Sequence, residues 1–230
     1  MLDFDGIRVT RGSFTLSADL SVATGARVAV IGPSGSGKST LLSLIGGFLT
    51  PDAGRIRVEG QDITPLPPGQ RPVSMLFQDQ NLFPHLTVAQ NVGLGLRPDL
   101  RLSDPQRARV TQVLAEVGLE GTEARRPANL SGGQQSRVAL ARVLLRARPV
   151  LLLDEPFAAL GPALKSEMLA LLARIAEQTK ATVLMVTHDP DDARSFAPQT
   201  ILVEGGVAQP PVPTEPLLDN PPPGLRAYLG

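Results

Sequence analysis

Residues 27–39 read RVAVIGPSGSGKS, and few short stretches restrict a fold more tightly. Arg27 to Ile31 is a brief apolar, β-branched run, the pattern of a buried strand. It stops at Gly32, Pro33, Ser34, Gly35, Ser36, Gly37, Lys38 and Ser39, the spacing G-x-x-x-x-G-K-[ST]. Thr40 follows, then Leu41, Leu42, Leu44 and Ile45 at helical spacing. Strand, loop and helix in this order make the loop a phosphate cradle. Its glycines let successive backbone N–H groups turn inward, and the helix N-terminus adds a positive dipole end. Lys38 can then reach the β- and γ-phosphates of a nucleotide such as ATP, and Ser39 can ligate Mg²⁺. An ordinary glycine-rich turn is the competing reading, and the flanking strand and helix argue against it.

The rest of the chain supplies the framework such a loop needs. Strands are expected at about 3–9, 14–22, 55–59, 72–77, 150–153 and 182–187. Helices are expected at 104–117 and 133–147, with another carrying Leu164, Met168, Leu171, Leu172 and Ile175 on one stripe. Alternating strands and helices imply an α/β fold with a mainly parallel core sheet covered on both faces. The two early strands, separated by a Gly-Ser turn, suggest an N-terminal antiparallel β subdomain. The stretch 86–130 suggests a helical subdomain, within one domain spanning 1–230. Residues 209–230 are rich in proline, which points to a tail lying on the surface.

A second candidate half-site is Val150-Leu151-Leu152-Leu153-Asp154-Glu155. An apolar strand ending in two carboxylates puts Asp154 near a metal and Glu155 near an attacking water, as general base. A mere cap on the next element is the alternative for Glu155. Lys plus Arg and Asp plus Glu balance at 22 each, which argues against a basic nucleic-acid-binding surface. No cysteine is present, so thiolate metal sites and disulfides are excluded. No signal peptide is expected from MLDFDGIRVT, and no apolar run approaches membrane-spanning length.

Leu130-Ser131-Gly132-Gly133-Gln134, followed by Arg137, Ala139, Leu140, Ala141 and Arg142, resembles the signature of ABC transporter ATP-binding subunits. The resemblance covers nearly the whole chain and implies the P-loop NTPase fold of ABC ATPases. It implies that Gln78 contacts Mg²⁺ and the attacking water, and that His188 senses the γ-phosphate. Ser131, Gly132, Gly133 and Gln134 would bind the ATP held by a second copy, giving two ATP molecules in a head-to-tail homodimer. The residues support this independently. Ser131 opens a helix whose glycine pair exposes N–H groups, an anion site with no second phosphate motif nearby. An N-cap serine alone would explain Ser131 but not both glycines.

Two departures from the family pattern stand out. The usual adenine-stacking aromatic near position 11 is replaced by Arg11, with Phe14 as the other candidate. After Asp154-Glu155-Pro156 the chain has Ala158-Ala159-Leu160-Gly161, so the family's aspartate is glycine. The segments 71–78 and 81–96, with Phe48 to Pro51, resemble importer ATPases, most of all those of Gram-negative thiamine importers. Iron, molybdate, sulfate and polyamine importers are the alternatives. Integral membrane permease subunits and, indirectly, a periplasmic binding protein are the implied partners, with the chain on the cytoplasmic face of the inner membrane. A soluble ABC ATPase acting on DNA or ribosomes is a competing reading, as is a binding module with lost hydrolysis, motivated by Gly161.

Overall fold

The computed structural model describes residues 1–78 and 81–229; Asp79, Gln80 and Gly230 lie outside it, as does the side chain of Leu229. Strands β1 (Leu2–Arg11) and β2 (Phe14–Val22) form a hairpin, and β3 (Arg27–Ile31) leads through the 32–37 loop into α1 (Lys38–Gly46). Next come β4 (Ala53–Val58), β5 (Gln61–Asp62), β6 (Val73–Leu76), α2 (Val88–Gly93) and α3 (Asp104–Glu116). The second half holds α4 (Gly132–Leu145), β7 (Val150–Asp154), α5 (Pro162–Thr179), β8 (Thr182–Val186) and α6 (Pro190–Phe196). It ends with β9 (Gln199–Glu204), β10 (Val207–Ala208), β11 (Val212–Pro213), α7 (Thr214–Asp219) and α8 (Pro223–Leu229).

The strands run in the order β5-β4-β1-β2-β10-β9-β3-β8-β7-β6, with β11 against β9. From β9 to β6 every neighbouring pair is parallel, whereas β1, β2, β4 and β5 pair antiparallel. The two-residue strand β10 joins the halves, parallel to β2 and antiparallel to β9. Side chains alternate along β3. Val28 and Val30 enter a core with α1 and the N-terminal strands, while Ala29 and Ile31 enter one with α2 to α6. Both faces of the parallel sheet are therefore covered, which is why its strands read as continuous apolar runs.

Capping chemistry sets the helix starts. Thr87 caps α2 and Ser131 caps α4, each in a reciprocal box with the glutamine three residues on. At its other end α1 is closed by Arg71. This side chain is 2% exposed and donates to Leu44 O (2.6 Å), Ile45 O (2.9 Å), Thr64 O (2.9 Å) and Leu66 O (2.8 Å). Gly47 follows in a left-handed conformation, and a Cβ there would lie 2.5 Å from Arg71 Nε.

The C-terminal stretch corrects the sequence reading. It is folded as β11, α7 and α8, not draped as an extended tail. Leu218 and Leu225 are buried in the helical-side core, Leu217 and Tyr228 pack on it, and Arg194 of α6 pairs with Glu215 and Asp219 of α7. Its prolines do not prevent this. Pro223 occupies the first position of α8 and Pro216 the first turn of α7, where a missing N–H breaks no helical bond.

Candidate functional site

The parallel strands deliver the chemical groups to one edge, because side chains and loops at the C-terminal ends of neighbouring strands converge. Val186 of β8 pairs with Val30 of β3 on one side and with Asp154 of β7 on the other. The 32–37 loop, the Asp154-Glu155 pair and Thr187-His188 therefore emerge side by side. Leu76 of β6 pairs with Leu153, so Gln78 and Glu155 both stand two residues past paired positions on adjacent strands. Gln78 is exposed.

Within the loop, Lys38 Nζ donates to Gly32 O (2.8 Å) and Pro33 O (2.9 Å). Burial pulls its ammonium below the usual lysine value, and the carboxylates of Glu155 and Asp154 oppose that pull. Ser39 Oγ donates to Asp154 Oδ1 at 3.2 Å. Burial raises the Asp154 carboxyl above its usual range, the Ser39 bond counteracts this, and the Glu155 charge adds to it. Ser36 Oγ is buried with no hydrogen-bond partner, an orphan hydroxyl inside the loop that a ligand oxygen would satisfy. Ser34, Gly35, Gly37, Lys38, Ser39 and Thr40 line one open cleft together with Glu155 and Phe14.

Glu155 holds a left-handed backbone, φ 45°. A bulky residue there is strained by roughly 1–3 kcal/mol. A bond from Glu155 N–H to Val186 O (3.1 Å) holds it in place, and its Oε2 lies 3.1 Å from His188 Nδ1. The next residue, Asp189, caps α6 and pairs with Lys165 of α5, which also meets Asp192 at 2.9 Å.

The two adenine candidates separate. Arg11 is turned away, donating to Thr10 O and Thr50 O and facing Asp52 at 3.6 Å. Phe14 sits against the loop, where a Cβ on Gly37 would lie 2.8 Å from its ring. With Ser13, Thr15, Pro33 to Ser36 and Gly205-Gly206 it borders a second open cleft. Sequence spacing alone left this undecided because the hairpin β1–β2 brings residue 14, not 11, to the loop.

Ser131 to Gln134 stand apart. Among the described residues no hydrogen bond links them to the 32–40 stretch. Ser131 Oγ accepts from Gln134 N–H at 3.3 Å and Ser131 N–H donates to Gln134 Oε1 at 3.0 Å. Gly133 has an internal reason to be glycine, since a Cβ would strike Leu164 of α5. Gly132 has none: open space surrounds its Cβ position, as it does at Gly161, the N-cap of α5. Tyr228 is the site neighbour that sequence reasoning does not reach, since it lies in no motif; its hydroxyl donates to His188 O.

Residues 16–158 match the family described as ABC transporter. The chain is 63% identical over 230 residues to the thiamine import ATP-binding protein ThiQ of Cereibacter sphaeroides, covering all of both chains. It is 58% identical over 230 residues to the protein of the same name from Ruegeria sp., again covering all of both. A dimeric structure of a post-hydrolysis state of the ATP-binding cassette MJ0796, bound to ADP and Pi, superposes with a TM-score of 0.79 at 31% identity, covering 94% of this chain and 99% of that one.

Proposed function

The chain belongs to the ABC transporter family, and from that premise we propose that it is the ATP-hydrolysing subunit of a thiamine importer. One observation carries the ATPase reading: Lys38 and Ser39 share a cleft with Glu155, whose carboxylate is braced by His188. The substrate reading rests on the full-length identity to thiamine import proteins.

The loop N–H groups and Lys38 bind the phosphates, drawing Lys38 off the carbonyls of Gly32 and Pro33. Phe14 supplies the aromatic surface for the base. Glu155 accepts a proton from water as the water oxygen bonds to the γ-phosphorus. The bond to the β,γ-bridging oxygen breaks, and ADP leaves with the electron pair. His188 holds the Glu155 carboxylate and senses the γ-phosphate. The oxygen donors Ser39, Gln78 and Asp154 suit a hard cation. With Asp154 as the carboxylate of that set, the rest of the ion's shell would come from the phosphates and water, the usual arrangement for Mg²⁺. Mg²⁺ held there would neutralise charge on the β- and γ-oxygens.

Ser131, the open Gly132, Gly133 and Gln134 have no phosphate partner within the chain. They are placed to meet the nucleotide of a second copy in a homodimer. No helix among the described residues is long and apolar enough to cross a membrane, so a permease subunit must bring the chain there. Phe48 and Phe77 are 55% and 37% exposed and pack edge to face at 5.5 Å. That apolar pair beside Gln78 is the docking surface for the permease. The surface would continue along 77–84, of which Asp79 and Gln80 lie outside the described residues.

The reconstituted complex tests the substrate. Thiamine-loaded binding protein should stimulate its ATPase activity, and binding protein loaded with ferric iron, molybdate, sulfate or spermidine should not. Stimulation by one of these instead would overturn the substrate while leaving the ATPase reading intact.

A further prediction concerns Gly161. Its Cβ position is open and its backbone is extended, φ −66° and ψ 158°, so aspartate fits and adds an N-cap acceptor to α5. Gly161→Asp should leave stability unchanged or a few tenths of a kcal/mol higher. It should raise ATPase activity, or its dependence on protein concentration, by restoring a side chain at the dimer face. Unchanged kinetics would show that this position does not limit communication between sites.

A further inference from the structure

We propose that Tyr228, carried by the C-terminal helix α8, is a positioning residue for His188. Tyr228 Oη donates to the backbone O of His188 at 3.4 Å, the residue whose ring meets Glu155. The tyrosine is partly buried and packs on the helical-side core. Burial, with the charge of Glu155 adding to it, raises its hydroxyl above the usual tyrosine value. The proton therefore stays on the oxygen and the group remains a donor.

The helix that carries it is anchored on its own account. Leu225 is fully buried, and a Cβ on Gly224 would collide with the Glu204 carboxylate, so α8 lies tight against the end of β9. One helix earlier, Arg194 ties α7 to α6 through Glu215 and Asp219, and α6 begins two residues after His188. The segment after β9 thus reaches the His188 loop through Tyr228, while Lys165 holds its Asp189 and Asp192. The orientation of the histidine is set by residues about forty positions later, which no nucleotide-binding motif includes.

This rests on the reading of His188 as the group that senses the γ-phosphate. The test is Tyr228→Phe in the full-length protein, which keeps the ring packing and removes only the hydroxyl. Losing one weak bond to the loop should lower kcat for ATP about three- to fivefold with KM and thermal midpoint unchanged. The chain has two histidines, so imidazole NMR resolves both: the His188 resonance should shift and the His85 resonance should stay. A loss of kcat without movement of the His188 resonance would overturn the positioning role. Full turnover in a His188→Ala variant sinks the sensing role and this proposal with it. An inactive His188→Ala variant beside an unaltered Tyr228→Phe sinks this proposal alone.

Discussion

Glu155→Gln should reduce ATP turnover by on the order of 100-fold or more, the upper range for removing a proton acceptor, while ATP binding persists. The amide fills the same space beside His188 and keeps an acceptor, and no phosphate-binding group of Lys38, Ser39 or the loop is removed. It cannot take the proton of the attacking water. ATP then drives dimer closure with no hydrolysis to reopen it, so the variant should elute as a dimer with ATP and as a monomer with ADP. Phosphate release and size-exclusion chromatography, in a preparation free of contaminating ATPase, read the two effects separately. Turnover within a few-fold of the native value would remove Glu155 from its role as base, and retained turnover with a stable dimer would mean that another group accepts the proton.

Arg71→Ala should cost the fold on the order of 3 kcal/mol, because each buried carbonyl left without its donor costs roughly 1–3 kcal/mol and the lost side chain leaves a gap. The reason is the four carbonyls that its guanidinium satisfies. Two of them, Leu44 O and Ile45 O, end α1, where Leu44 O accepts otherwise only a long bond (3.3 Å) from the capping Gly47 N–H, and a cation at that end also complements the helix dipole. No carboxylate lies within ion-pair distance of Arg71 among the described residues; burial holds its pKa below the usual arginine value, and the more distant Asp62 charge opposes that shift. Alanine leaves the carbonyls without donors in a dry site. Because α1 carries Lys38 and Ser39 at its other end, nucleotide affinity should fall as well. Arg71→Lys should fall between, since one ammonium cannot span carbonyls from both the helix and the 64–66 loop. Denaturant midpoints of the three proteins decide it, and a loss under about 1 kcal/mol for alanine, the level of one ordinary hydrogen bond, would show that water replaces the guanidinium.

Arg71 also marks where sequence reading runs out. The phosphate loop, the Asp154-Glu155 strand end and the Ser131 cap were legible because each packs its geometry into a few consecutive residues with a fixed mechanism. The strands expected at 55–59 and 72–77 and the helices at 104–117 and 133–147 appear within two residues of those limits, since apolar periodicity reports burial directly. A buried arginine without a carboxylate carries no such pattern; before a strand, Arg reads as exposed. Phe14 was one of two adenine candidates, and only the hairpin register decides between them; Tyr228 was invisible as a site neighbour, because it is placed by tertiary docking of a proline-rich segment whose composition alone suggests no fold. The order of the strands was beyond local reasoning altogether, because β10 pairs residues about 190 positions apart in the chain, Ser17 with Val207.

That strand order bears on how the protein is made. The strand that feeds the phosphate loop, β3, is bordered by β8 and β9, both drawn from residues 182–204. Before residues 182–204 are added, the loop has its motif but neither neighbour, and before β10 is added the hairpin β1–β2 has no seam to the parallel strands. The phosphate loop should therefore gain its grip on ATP only once those two strands have joined the sheet. Until then both edges of β3 stand unpaired, the kind of exposed edge that makes a partly folded chain prone to aggregate.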